Sequence, residues 1–216
     1  VLASTYHGLV LAALTPWVAL VFWLMPGNGG RRGAWRDLAG SLAVLVIAGA
    51  VVLAWVHHAV PAAFSPAVAV PPRDLVRYGA RWYGYLVPPV DHPLLGGEAR
   101  RFWTARGVGV GLLEQQVYVG WGVLALVVTA LAVPTGSMVR RRLVWGLAAV
   151  AGMAVLCSLA PAGVPWHLPF APPSAWFHGV APMFRAYARF AVVVQLSLAA
   201  LAGIGLVVLW SRPATR

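Results

Sequence analysis

Asp91 and His92 stand side by side in the run Pro88-Pro89-Val90-Asp91-His92-Pro93-Leu94-Leu95-Gly96-Gly97. Proline fixes φ and glycine permits positive φ, so this run reads as a rigid turn. A carboxylate beside an imidazole offers an acid/base pair for proton transfer. The same two side chains serve equally well by bonding the turn's own amides. Glu114, in Leu112-Leu113-Glu114-Gln115-Gln116, precedes an apolar run. It is either an orienting or catalytic carboxylate or a helix-start acid favoured by the dipole.

Anion binding is the other chemistry on offer. Arg73, Arg77 and Arg81 recur every fourth residue in 73–86, and on a helix they fall within an arc of roughly 80°. Leu75, Tyr78, Trp82, Tyr85 and Leu86 fall within about 100° of one another on the opposite side. That pattern predicts an amphipathic helix in the membrane interface, with aromatics among the headgroups and arginines toward phosphate. Gly79 and Gly84 each cost it about 1 kcal/mol of helix propensity, so it needs the membrane or neighbouring spans to form. Arg185 and Arg189, read as i, i+4 at the start of the last span, share a face there. They either grip a phosphate or snorkel to headgroups.

The elements that must position these residues are membrane spans. The chain has 216 residues, 61% hydrophobic and 10% charged, where soluble domains carry about 25% charged residues. Five apolar runs, 6–25, 38–60, 117–134, 143–160 and 188–210, approach the roughly 20 helical residues that a bilayer core demands. The expected fold is all-α: one transmembrane domain over 1–216, a polytopic bundle of about five spans with an outer-face interfacial helix. Two long loops, 61–116 and 161–187, connect them. Val1 is not a methionine and no basic segment precedes an apolar stretch, so no signal peptide is expected. The chain reads instead as a piece of a longer polytopic protein.

The net charge of +11 comes entirely from arginine. These residues are scattered between spans rather than gathered on one soluble face, which argues against nucleic acid as a partner. Arg31, Arg32 and Arg36, then Arg140, Arg141 and Arg142, then Arg212 and Arg216 lie in short connections. Such segments stay in the cytoplasm. The Val1 end is therefore expected outside and the Arg216 end inside. Asp74, Asp91, Glu98 and Glu114, and all six histidines, then fall on the outer side. Only Asp37 is cytoplasmic. Cys157 is the single cysteine and sits in a span, so no internal disulfide forms.

No His-Glu-x-x-His, cysteine pair, nucleotide-binding glycine loop or Gly-x-Ser-x-Gly elbow is present. His57 and His58 are adjacent and would point apart on a helix, a poor chelating pair. No metal site is assigned. The cofactor stays open, a divalent cation included.

Three segments in order resemble a known group: Asp91-His92-Pro93-Leu94 after a proline pair, Glu114 before Tyr118-Val119-Gly120, and Pro182 through Phe184-Arg185 and Arg189-Phe190 into a glycine-bearing span. Over roughly 72–206 the chain resembles the later portion of bacterial YfhO-like and related GT-C multispanning proteins. The resemblance implies a GT-C-like fold in the bacterial inner membrane and a polyprenyl-phosphate sugar donor used at the outer face, with a glycan or lipid as acceptor. Asp91, His92, Glu114, Arg185 and Arg189 match the family pattern by position; on this reading Arg73, Arg77, Arg81, Arg185 and Arg189 bind phosphate or lipid, and Asp91, His92 or Glu114 orients the sugar or acceptor hydroxyls. The family's acidic first outer loop has no counterpart here, so none of these three carries over as the catalytic acid. Alternatives are a flippase for lipid-linked sugars and a non-catalytic assembly subunit. The spans hold no acidic residue at mid-depth, Gln195 being the strongest polar group there, which disfavours ion-coupled transport.

Overall fold

The computed structural model describes residues 14–21, 39, 40, 42, 43, 46, 47, 50, 54, 70–107, 112–133, 137–160, 173–180 and 184–211. Most of the first two expected spans, with His7, His57, His58 and His167, lies outside these residues. The described parts of those two runs are helical. Among the described residues the regular structure is all helix, and the one strand-like feature is an isolated parallel bridge between Ala80 and Leu159.

Three apolar helices form the frame: α4 (Trp121–Ala132), α5 (Met138–Ser158) and α7 (Ala191–Trp210). A 3-10 turn, Tyr187–Phe190, runs straight into α7. Two segments, Met138–Ser158 and Tyr187–Trp210, are long and apolar enough to cross a membrane, and only 33% of each apolar window is buried. Leu196 is 71% exposed and Trp210 89%, so α7 shows a broad apolar surface outward.

The expected span 117–134 is shorter than predicted. Its helix has 12 residues against the roughly 20 of a full crossing. Val117 to Gly120 are not helical because they are engaged elsewhere. Val119 N–H donates to the Tyr85 carbonyl (3.3 Å), and Gly120 turns the chain at φ 98°. The expected span 143–160 instead starts at Met138, where the Ser137 hydroxyl caps it by accepting the Arg140 amide (3.5 Å).

α7 lies against both α4 and α5, which touch each other only lightly. Val127, Val144, Leu201 and Ala202 fill that contact. Gly205 makes it possible, because a Cβ there would strike the Leu126 carbonyl of α4. Small residues at such crossings let helix backbones approach closely. Residues 14–21 pack on the same frame, with the Trp17 indole donating to the Ala149 carbonyl (3.2 Å).

Residues 70–107 and 112–115 form a folded layer on one end of this frame. It contains α1 (Pro72–Tyr78), a 3-10 turn (Trp82–Tyr85), α2 (Gly96–Ala105) and α3 (Leu112–Gln115). The predicted continuous helix 73–86 is interrupted at Gly79. A Cβ at Gly79 would lie 2.6 Å from the Ala160 Cβ, so α1 is cut where it meets the chain leaving α5. There Ala80 N–H donates to the Ser158 carbonyl (2.8 Å) and Ala160 N–H to the Ala80 carbonyl (3.2 Å). The predicted single aromatic face is divided accordingly: Leu75 and Tyr85 are buried, Trp82 and Leu86 exposed.

Candidate functional site

The loop layer sits at the Ser158 end of α5, and Arg140, Arg141 and Arg142 at the other. Twenty-one helical residues separate the two ends by about 30 Å. Trp121, where α4 starts, is at the loop end too, its indole donating to the Leu86 carbonyl (2.9 Å). The chain enters α7 at this end, since its 3-10 turn packs with Leu75 and Tyr85.

Within this layer two arginines meet on one ring. The Arg185 guanidinium carbon is 5.2 Å from the Tyr78 ring centroid and that of Arg77 6.0 Å. The cause is shared packing. Leu75 of α1 and Phe184, Tyr187 and Phe190 are buried in a single cluster, with Phe184 edge-on to Tyr187 at 4.9 Å. Burying those apolar neighbours leaves Arg77 and Arg185 exposed beside Tyr78. The two cations therefore lie within about 11 Å of each other, a repulsion of a few tenths of a kcal/mol in water and more in a lower dielectric. An anion bound near the pair would relieve it.

The other predicted anion ligands are placed differently. Arg81 does not continue an α1 stripe; its Nε donates to Gln115 Oε1 (3.1 Å). Arg189 is exposed on the 3-10 turn, and Arg185 precedes that turn, so the two are not one α-helical turn apart as expected. The cause is that α7 begins only at Ala191. Arg73 lies in the first turn of α1, and its side chain is outside the described residues.

His92 is employed in the turn. Its Nδ1 accepts the amides of Leu94 (3.3 Å) and Leu95 (3.2 Å), and its carbonyl accepts the Gly96 amide (2.8 Å). Leu95 is the N-cap of α2 and its side chain makes no cap hydrogen bond, so the imidazole satisfies amides that the helix start leaves open. Accepting at Nδ1 places the ring proton on Nε2. The ring also stands edge-on to Tyr118 at 6.2 Å. Asp91 is exposed, and the turn amides rather than this carboxylate occupy Nδ1. Glu114 is partly exposed on α3. The structure does not gather Asp91, His92 and Glu114 into one hydrogen-bonded group among the described residues.

The residue that sequence reasoning missed is Gln115. It is 2% exposed, and its Nε2 donates to the Arg77 carbonyl (2.8 Å) while its Oε1 holds Arg81. Its signal in the sequence is the polar run Glu114-Gln115-Gln116 ahead of an apolar stretch, in which charge distinguishes only Glu114. Tyr78, read only as part of an apolar face, is the ring that both arginines approach.

Tyr85 fastens the layer to α5. Its hydroxyl lies 2.6 Å from Ser158 Oγ, which donates in turn to the Val155 carbonyl (2.7 Å), so Tyr85 is the donor. Burial pushes the Tyr85 phenol well above the ordinary tyrosine range.

Among the described residues no group of three or more His, Cys, Asp or Glu side chains is placed to hold a metal ion. The Ser174 hydroxyl and His178 Nδ1 on α6 (Pro173–Val180) are buried without hydrogen-bond partners. They are therefore not bonded to each other as a nucleophile and base would be. Comparison of the chain with family models, curated proteins and solved structures finds no match.

Proposed function

We propose that this chain belongs to an integral membrane glycosyltransferase of GT-C-like kind, which takes sugar from a polyprenyl-phosphate carrier at the outer face of the bacterial inner membrane. The observation that carries this reading is the meeting of Arg77 and Arg185 on Tyr78. In the reaction the phosphate leaves as an anion, and preformed positive charge at that position stabilises the developing charge. The phosphate end of a membrane-anchored carrier arrives at the boundary where the spans end. The arginine pair occupies that boundary, on the side away from Arg140, Arg141 and Arg142. With these three in the cytoplasm, the Val1 end lies outside and the Arg216 end inside. The apolar flanks of α5 and α7 face lipid, and the five-span bundle completes the frame.

Sugar transfer by the full-length protein tests the reading. Replacing both Arg77 and Arg185 by alanine lowers kcat/KM by about a hundredfold or more, the scale of losing preorganised stabilisation of an oxyanion. Wild-type rates in that variant would sink the proposal. A non-catalytic subunit that only holds the lipid phosphate is the second reading, favoured by the occupied Nδ1 of His92. It requires carrier binding with no transfer in the same assay.

A further inference from the structure

The buried amide of Gln115 extends the arginine reading, on which the following step rests. One side chain has both ends engaged: Nε2 donates to the Arg77 carbonyl (2.8 Å), and Oε1 accepts from Arg81 Nε (3.1 Å). Its backbone carbonyl faces Gly84, where a Cβ would strike it. Gln115 therefore ties together the last turn of α1, the extended residue Arg81 and the 3-10 turn. A buried amide is costly unless both ends are bonded, so its location dictates where those segments sit. A glutamine that merely filled the core would need no guanidinium partner. Here Nε of Arg81 is held, its two terminal nitrogens lie outside that bond, and the residue stays partly exposed.

We infer that Gln115 is the positioning residue of the anion site, holding the Arg77 backbone and fixing Arg81 through Nε so that Arg81 joins Arg77 and Arg185 in receiving a phosphate monoester. A guanidinium restrained in this way loses less conformational freedom on binding than a free one. The ligand chemistry is a phosphate on a lipid or in solution. Liposomes carrying polyprenyl phosphate and free inorganic phosphate separate these two sources.

The experiment measures binding of the full-length protein to polyprenyl-phosphate liposomes, with phosphatidylcholine liposomes as the blank. Gln115→Met keeps the volume and removes both hydrogen bonds. It weakens binding about three- to tenfold, the effect of losing one or two net hydrogen bonds. Arg81→Ala then adds little in the Gln115→Met background, although it weakens binding on its own. A purely structural glutamine gives additive losses, and additivity overturns the assignment, as does wild-type binding by Gln115→Met. Should Gln115→Met fail to fold, Arg81→Lys serves instead. It keeps the charge but lacks the planar guanidinium that can be held at Nε while its terminal nitrogens face a phosphate, and it must weaken binding; wild-type affinity there overturns the assignment. If Arg77→Ala and Arg185→Ala also bind normally, the anion site itself fails. If they weaken binding while Gln115→Met does not, only the role of Gln115 fails.

Discussion

Arg185 stands 5.2 Å from the centre of the Tyr78 ring, joining the entry to the last apolar helix to α1. Cation–π contacts at exposed sites contribute about 0.5–1 kcal/mol. Tyr78→Phe keeps the ring face and so retains binding to polyprenyl-phosphate liposomes within about twofold. Tyr78→Ala releases both arginines and lowers it about two- to fivefold per lost contact. Equal binding by both variants would show that the ring does not organise the pair.

Tyr85 and Ser158 form the buried latch between the loop and α5. Tyr85→Phe loses about 1 kcal/mol of net hydrogen bonding. Ser158→Ala leaves a buried phenol unsatisfied and costs about 1–3 kcal/mol. Thermal unfolding in detergent orders them wild type, Tyr85→Phe, Ser158→Ala.

The same phenol sets a pH dependence. Burial raises its folded-state pKa above the unfolded value, which is about 10. Below that value both states are protonated and the folded state loses nothing. As pH rises past it, the unfolded phenol ionises first and draws the equilibrium toward unfolding. Stability therefore falls above about pH 10, and Tyr85→Phe has a shallower decline. Parallel melting curves for the two proteins across that range would show that Tyr85 is not the group responsible.

The all-helical class and the two long apolar helices were legible because they depend on composition and run length alone. The loop layer was not legible at the same level. Whether 73–86 continues as one helix depends on Ala160 meeting Gly79, a contact no local periodicity contains. Likewise, which of Glu114 and Gln115 turns inward depends on docking against Arg77 and Arg81. Arg185 and Arg189 have i, i+4 spacing, but the chain between them is not α-helical. Charge singled out the arginines as candidate anion ligands. It could not name which arginines converge, because packing of Leu75 and Phe184 decides that.

Two glycines of α7 separate close packing from mere composition. A Cβ at Gly205 collides with the Leu126 carbonyl, whereas nothing lies within 4 Å of one at Gly203. Gly205→Ala forces α4 and α7 apart and costs about 1–3 kcal/mol, as overpacking does. Gly203→Ala is neutral or slightly stabilising, since alanine is the better helix former by about 1 kcal/mol. Melting temperatures of the two variants in one detergent check the contrast, and equal values would refute the α4–α7 crossing.

His92 decides whether the Asp-His turn is chemical or architectural. With Nδ1 taken by the Leu94 and Leu95 amides, its first task is to complete the start of α2. His92→Ala leaves those amides to water and costs about 1 kcal/mol, the scale of losing a helix cap. His92→Asn supplies a side-chain carbonyl that accepts similar bonds and recovers part of it. Hydrogen exchange at Leu94 and Leu95 reads this directly: protection falls in the alanine variant and returns in the asparagine variant. Catalytic use of the imidazole demands the opposite pattern in sugar transfer, because an amide accepts hydrogen bonds but does not take up a proton near neutral pH. Loss of kcat in both variants, with exchange protection restored only in His92→Asn, would assign the ring a proton-transfer role. Recovery of kcat together with protection in His92→Asn would leave the turn as architecture.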